Sequence, residues 1–312
     1  MYRTLMFLAI LQLAASPAMA RHRWRSYPEA PKAPTGAAKP TAPATPIKVE
    51  WQHDYAKAMK TAQAQRKMLL IWFKPARPTA ASQQFESAAL ANPQVQAKLD
   101  QFVALKVPAD LKVTVDGRET KVLSHAAFDE LHGQAGLAIL DFAHPDAPYY
   151  GRVVTALPFS SGKFYRFQPK HLAVALDLPA GTITQRTMVF AVRIHPEAPA
   201  STKGQLDPAL TTAAQQHSRY QAKIRRQGHH NWGSRFPRLS ALLPFGLRAQ
   251  EVVAESWPHE TMVDAAVDCV ESWRQSSGHW SAVRARQPRF GYDMHRGSNG
   301  IWYATGLFGN YH

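Results

Sequence analysis

The most constraining feature of this 312-residue chain is an uninterrupted apolar run, Met68–Phe73. A strand that is buried on both faces requires such a run, because neither of its alternating sets of side chains meets water. Two similar runs, Phe102–Val107 and Leu137–Phe142, follow it, and segments with helical spacing separate the three. Strands that alternate with helices indicate an α/β layer. We therefore predict an α/β fold class with Met68–Phe73 as a central strand.

Further patterns complete the predicted layer. Asn92–Pro93 has the form of a helix start, with Asn as N-cap and Pro at the first helical position. A helical turn over 128–132 and a fourth strand over 149–155 are also predicted. The remaining helices are predicted over 54–65, 82–90 and 169–178.

The N-terminus has the pattern of a targeting segment. Arg3 precedes an apolar stretch, Leu5–Ala15, and Ala18–Ala20 has the small-x-small form of a cleavage site. We predict a secretory signal peptide over 1–20, with an uncleaved anchor as the alternative, and a secreted or periplasmic protein without a transmembrane span after cleavage. Residues 21–47 are rich in Pro and Ala and are predicted to form a linker.

Charge and cysteine content limit the functional classes. The net charge is +15, but the basic residues are spread along the chain and no nucleic-acid-binding motif is present, so we expect an anionic polymer or envelope component as partner rather than nucleic acid. The single cysteine, Cys269, excludes a disulfide framework and any site with several cysteine ligands. It lies in a stretch with helical periodicity, where we expect a buried small side chain.

Residues 48–190 resemble the thioredoxin-like fold of exported bacterial proteins. The resemblance rests on the order of helix, LLIWF strand, loop and helix, followed by NPQVQAKLDQFVALKV and GLAILDF. It implies redox cysteines at Thr79 and Ser82, or one residue earlier at Pro78 and Ala81, and a cis-proline where Ala135–Gly136 stands. Disulfide exchange needs a thiolate and a resolving thiol, which these degenerate positions lack. The expected role is a non-redox scaffold or binding domain, and another small α/β sandwich is the alternative.

A second domain is predicted over 200–312, after a boundary near 199–204. Its elements are two long helices, a loop that contains Pro237 and Pro244, and two strands joined by a turn rich in Gly and Asn. The helices are predicted over 210–227 and 261–275, the turn over 296–300, and the strands over 290–294 and 301–308.

This second region resembles the superfamily of cysteine-rich secretory proteins, antigen 5 and pathogenesis-related proteins, the CAP or SCP domain. The resemblance rests on the spacing W-x-x-S-x-G-H from Trp273 to His279, on Glu255-Ser256-Trp257 in place of Glu-Asn-Ile, and on GIWYATGLFG. It implies an α–β–α sandwich and a histidine after the first helix, at His229 or alternatively His230. Ser256 departs from the asparagine of the family, and the second glutamate of eukaryotic members has no clear counterpart.

The resemblance implies an open cleft lined by His229, Glu255 and His279. Two neutral imidazoles and a carboxylate are a suitable donor set for Zn²⁺, so a divalent metal is the one cofactor we consider, with His229 and His279 as its ligands. Glu251 is the alternative carboxylate, and His279 could instead only cap its helix. We expect three further histidines at the surface and three tryptophans in the core: His217, His259 and His295, and Trp273, Trp280 and Trp302.

These observations predict an exported, basic, two-domain protein with a non-redox binding or scaffold function. One alternative is a metal-dependent hydrolase that uses His229, Glu255 and His279 on an envelope or extracellular substrate. Another is binding of polyanions through the dispersed basic residues. The sequence contains no nucleophile elbow, phosphate-binding loop or H-E-x-x-H motif, and Ser276 and Ser277 lack an acid that could orient His279 as their base. The sequence therefore favours a non-enzymatic protein.

Overall fold

The computed structural model describes residues 49–115, 117–160 and 167–311. The predicted signal peptide, 1–20, and the linker, 21–47, lie outside the described residues. The α-helices are α1 Tyr55–Gln65, α2 Ala80–Gln84, α3 Pro93–Leu99, α4 Pro169–Ala175, α5 Ile183–Ile194, α6 Pro208–Ile224, α7 Trp232–Leu242, α8 Met262–Arg274 and α9 Ser277–Arg284. The strands are β1 Trp51–Gln52, β2 Met68–Lys74, β3 Phe102–Pro108, β4 Lys112–Val115, β5 Arg118–Lys121, β6 Gly136–Leu140, β7 Val153–Pro158, β8 Gln205–Leu206, β9 Leu247–Glu255, β10 Arg289–Arg296 and β11 Trp302–Tyr311.

The first half of the described chain contains a mixed five-stranded sheet in the order β1-β3-β2-β6-β7. Strand β2 is parallel to β3 and antiparallel to β6, and it occupies the centre as predicted. Its side chains alternate between two apolar cores: Leu70 and Trp72 face one, and Leu69, Ile71 and Phe73 face the other. Helix α1 covers the second face, whereas α3, α4 and α5 contribute to the core on the first. The α/β fold class is therefore confirmed.

Several elements of this half differ from the predicted ones. The fourth strand begins at Val153 rather than residue 149, because 149–152 forms a turn in which the Arg152 N–H donates to the Tyr149 carbonyl. The hairpin of β4 and β5 and the helix α5 were not predicted. Residue 190, the predicted end of the first domain, lies inside α5.

Thr79 and Ser82, the positions where the resemblance implied cysteines, form the N-cap of α2. The Thr79 hydroxyl accepts the Ser82 N–H at 3.1 Å, and the Ser82 hydroxyl accepts the Thr79 N–H at 2.9 Å. This reciprocal capping box satisfies two backbone donors that a helix start otherwise leaves unpaired. These two side chains therefore stabilise a helix terminus at the position where a redox motif was considered.

The second half contains a four-stranded sheet in the order β8-β10-β11-β9. Helices α6 and α7 pack on one face, and α5, α8 and α9 pack on the other, which gives three layers. The predicted hairpin is present, with β10 and β11 antiparallel from Arg289–Gly309 to Arg296–Trp302. Pro237 lies inside α7, so the loop predicted around it is a helix over much of its length.

The two halves share a core. Apolar side chains of the first sheet, of α5 and of α8 belong to one buried cluster, which includes Trp72, Met188 and Trp273. Helix α5 packs against both β7 and β10, and Gln185 donates from Nε2 to Asp293 Oδ2 at 3.0 Å. An apolar core that runs through α5 therefore joins the predicted domains.

Gly291 lies where β10 closely approaches the backbone of α6, and we expect Gly291→Ala to destabilise the protein. A Cβ there would lie 2.4 Å from the backbone nitrogen of Thr211 and 2.6 Å from the carbonyl carbon of Leu210. Helix backbone cannot yield as a side-chain end can, so we expect a loss of about 1–3 kcal/mol in the free energy of unfolding, measured in urea.

Gly278 is the control for this substitution. It lies in α9, and a Cβ there meets nothing within 4 Å. Gly278→Ala should leave stability unchanged or raise it by up to about 1 kcal/mol, because alanine has the higher helix propensity. Equal losses from the two substitutions would contradict the close approach at Gly291.

Candidate functional site

The loop after α6 is the first element of the candidate site. Helix α6 ends at Ile224, and Arg225 follows in the left-handed conformation. The buried Gln221 side chain accepts the Gly228 N–H at 3.0 Å and donates to Thr305 Oγ1 at 3.0 Å. The first hydrogen bond ties the loop to α6, and the second holds the same Gln221 side chain against β11, so the backbone just before His229 is fixed.

His279 reaches the same place from α9, which packs on the opposite face of the sheet. Helix α8 ends at Arg274, and the chain begins α9 at Ser277. His279 is therefore the third residue of α9 rather than a residue that ends α8. Its side chain is half-buried, whereas that of His229 is exposed.

The structure brings His229 and His279 together. Their Nε2 atoms are 3.3 Å apart, and their ring centroids are 5.5 Å apart. Because the second residue follows the first by fifty positions, only the tertiary fold can create this pair.

The carboxylate beside the pair is Glu251, the alternative considered above, and not Glu255. Glu251 Oε1 lies 3.0 Å from His229 Nδ1, and Oε2 accepts from Arg235 at 2.5 Å. The Glu251 side chain is only 1% exposed, whereas Glu255 is exposed at the end of β9. The two glutamates are four positions apart on one face of a strand, or about 13 Å along it. The structure therefore corrects the choice of Glu255 as the cleft carboxylate. Within the described part of the chain, no hydrogen bond or ion pair joins Glu255 to either histidine.

The environment favours an ionised Glu251. Burial by itself would raise the pKa of this carboxyl, but hydrogen bonds from His229 and Arg235 outweigh it, and the pKa is lowered. A carboxylate can only accept, so His229 Nδ1 carries the donated proton and its Nε2 faces His279. Burial, followed by the nearby His229, lowers the pKa of His279. The site therefore presents two imidazole nitrogens at the surface, with a charged group fixed behind one of them.

His217 is a further member of the site, and its predicted surface position is wrong. Its side chain is buried under the loop, where Nε2 donates to the Gly228 carbonyl at 3.0 Å and lies 3.8 Å from Glu251 Oε1. Burial lowers its pKa to about 4. The signal for burial was present in the sequence, because Leu210, Ala214, His217 and Gln221 share one face of α6 at helical spacing.

Burial of neutral His217 predicts a loss of stability in acid. The pKa of His217 is about 4 in the folded protein and about 6.5 in an unfolded chain. Below pH 6.5 the unfolded chain therefore binds a proton that the folded protein does not bind until the pH approaches 4. The stability penalty grows as the pH falls from 6.5 towards 4. Between pH 7 and pH 5 it should reach about 2 kcal/mol, and His217→Gln, which keeps a side-chain N–H donor, should remove it.

The measurement is urea unfolding at pH 7, 6 and 5, with exposed His259→Gln as the control. The lowered pKa of His279 acts in the same direction in every variant, and so it cancels from the comparison. The prediction fails if His217→Gln loses as much stability between pH 7 and pH 5 as the wild-type protein.

The other histidines and the tryptophans have the burial that was predicted for them. His259 and His295 are exposed, and Trp273, Trp280 and Trp302 are buried, as predicted. Cys269 is buried on α8, and burial raises the pKa of its thiol. Within the described residues, no group of three or more His, Cys, Asp or Glu side chains is arranged to hold a metal ion. The candidate metal ligands are therefore the two histidines alone.

Comparisons with known proteins add little to this description. No family model matches the chain, and no curated protein matches its sequence. Among solved structures, the chain is similar to an outer surface protein from Borrelia burgdorferi, with 17% identity, a TM-score of 0.29 and coverage of 35% of this chain and 78% of that chain. A likeness this slight decides neither fold nor function. Within the part of the chain that is described, no helix is long and apolar enough to cross a membrane.

Proposed function

We propose that this chain is an exported, non-redox binding protein, secreted or periplasmic. In this proposal its CAP-like second half binds a divalent metal ion or a small polar ligand between His229 and His279, and its first half serves as a thioredoxin-like scaffold. The observation that carries the proposal is the approach of the two Nε2 atoms to 3.3 Å, with Glu251 behind His229.

The distance between the two nitrogens suits a shared metal ion. Two nitrogens bound to one zinc ion at about 2.0–2.1 Å with a tetrahedral angle are about 3.3 Å apart. The Nδ1 of His229 donates to Glu251, which is the carboxylate–histidine arrangement that orients metal ligands in many proteins. His229 and His279 would hold the ion, and solvent or a ligand would complete its coordination. A bound divalent ion would supply a Lewis acid at this open position.

The non-redox part of the proposal has independent support. Cys269 is the only cysteine of the sequence, and it is buried on α8. Thr79 and Ser82 cap a helix with their hydroxyls. Dithiol chemistry is excluded, and a mixed sheet with helices on both faces supports a scaffold role for this half.

The test is calorimetric titration of the purified protein with ZnCl₂ and NiCl₂. We expect one ion per chain in the wild-type protein and at least about a tenfold loss of affinity in His229→Ala and His279→Ala, since each removes one of two protein ligands. His295→Ala, a change at an exposed histidine on β10, is the matched control and should bind normally. Absence of binding to the wild type, or equal affinity in His279→Ala, would overturn the metal proposal.

A metal-dependent hydrolase is the second candidate, and the Glu251–His229 pair favours it. A carboxylate that orients a metal-ligating histidine through its Nδ1 would hold the ion in place, and the ion would supply the activation of a bound water. Among the described residues, however, neither histidine hydrogen-bonds to a serine, threonine or cysteine. The hydrolase predicts turnover of ester or peptide substrates that a chelator abolishes and that His279→Ala removes. Substrates that remain intact with the zinc-loaded protein would exclude it.

A further inference from the structure

An open groove runs between α6 and α7, beside the histidine pair but outside it. Its volume is about 670 Å³. The two helices follow each other in the chain through the 225–231 loop, and they line the groove along the length of α7. Eleven residues of α7 at 1.5 Å per residue give a length of about 16 Å, or three helical turns.

The groove is apolar at one end. Ala213 of α6 and Leu239 of α7 line it there, together with Leu242. The Leu242 side chain remains 64% exposed although it lines the groove. A large apolar side chain left this exposed beside a groove is stabilised when a partner covers it.

The rest of the groove is basic and aromatic. Arg235 and Arg238 of α7 line it, and His230 and Tyr220 lie together at the other end with their rings 5.6 Å apart. No aspartate or glutamate is among the described residues that line the groove. Arg235 is paired with Glu251, but Arg238 is exposed and has no ion pair among the described residues. The charge of Arg238 is therefore left for a ligand to neutralise.

The shape of the groove distinguishes between occupants. Small-molecule sites enclose most of the surface of their ligand, whereas this groove is open to solvent between two helices. Helix pairs with an apolar floor are the usual receptors for an amphipathic helix, and tyrosine and arginine are enriched where proteins bind each other. The basic lining requires that the polar side of such a helix be acidic.

We infer that the α6–α7 groove is a docking surface for an amphipathic helical segment of another protein that carries acidic side chains. Its apolar side chains, at spacings of three and four residues, would pack against Leu239 and Leu242, and its carboxylates would pair with Arg238. This inference goes beyond the proposed metal or ligand binding and does not depend on it.

The test uses two fluorescein-labelled synthetic peptides of about 14 residues, long enough to span α7 when they are helical in the groove. Both carry leucine at positions 1, 4, 8 and 11 and differ only in having glutamate or lysine elsewhere. Fluorescence anisotropy at about 150 mM NaCl measures the affinity of the full protein for each, because salt at this level screens most long-range attraction. We expect binding of the glutamate peptide and at least about tenfold weaker binding of the lysine peptide, equivalent to 1.4 kcal/mol.

Variants locate the binding. Arg238→Glu and Leu242→Asp should each weaken binding of the glutamate peptide at least about tenfold. Arg118→Glu makes the same charge change at an exposed position on β5 and should have less than about a twofold effect. His279→Ala should bind the peptide normally, so failure of the metal proposal remains separate from failure of this one. Equal losses of affinity in Arg118→Glu and Arg238→Glu would indicate general attraction of polyanions and would overturn the docking proposal. Failure of the wild-type protein to bind the glutamate peptide would overturn it as well.

Discussion

Replacement of Glu251 by leucine is expected to lower the free energy of unfolding by about 3 kcal/mol, because it removes one partner of a buried ion pair. The side chain is 1% exposed and accepts hydrogen bonds from His229 and Arg235. Leucine fills a similar volume but leaves Arg235, itself only 21% exposed, without its counter-charge. The same variant should bind zinc about 10- to 100-fold more weakly if the proposed site is correct, because His229 loses the group that orients it.

The matched control is Glu255→Leu, on the same face of the same strand. Glu255 is exposed, so we expect a change within about 0.5 kcal/mol in urea unfolding and no change in zinc affinity. The double variant Glu251→Leu/Arg235→Leu should recover part of the loss, because neither charge is then left unpaired. An equal loss from the two single glutamate variants would contradict the assignment of Glu251.

Trp273→Ala is expected to cost about 3–5 kcal/mol, the usual range for a buried tryptophan. The side chain is completely buried on α8, in the cluster that joins the two halves, with its ring centroid 5.9 Å from that of Tyr292. Its indole N–H has no hydrogen-bond partner in the described structure, so the loss is one of apolar packing. Trp273→Phe should therefore cost clearly less than alanine, because phenylalanine retains most of the apolar surface and has no buried donor.

Trp257→Ala is the control for this prediction. Trp257 is 67% exposed, and its replacement should change stability by about 0.5 kcal/mol or less. Because the core is shared, Trp273→Ala should also lower the unfolding midpoint of both halves together. The contrary result would be an alanine variant whose first half, followed by hydrogen exchange of the β2 amides, unfolds at the wild-type midpoint.

Elements with strong local signals were predicted closely. The apolar run at Met68–Phe73 became the central strand β2 within one residue. Asn92 caps α3 with its side chain, as predicted. The hairpin around 296–300 also appears where its glycines and asparagine placed it. Capping, burial and turn formation depend on neighbours in the chain, which one sequence displays.

Elements without such signals were missed. Helix α7 contains Pro237, which argues against a helix in any local reading, but packing of Leu239 and Leu243 against α6 and β9 holds it in place. Helix α5 was not predicted, because the residues that bury it come from both halves of the chain. In each case the stabilising contacts are made with distant residues.

The candidate site also combines features that the local sequence predicts with features that only the tertiary structure determines. Taken alone, the sequence was sufficient to place a histidine after α6 and another after α8, because these positions follow from the predicted helix ends. The strand β9, which carries both Glu251 and Glu255, was not predicted. Which glutamate meets His229 was decided only by the tertiary structure. The register of β9 on β11 places Glu251 opposite Leu307, beneath the loop that carries His229, and Glu255 opposite Tyr303 at the strand end. Strand register and loop position are set by pairing and packing across the sheet, and these interactions act between residues far apart in the chain.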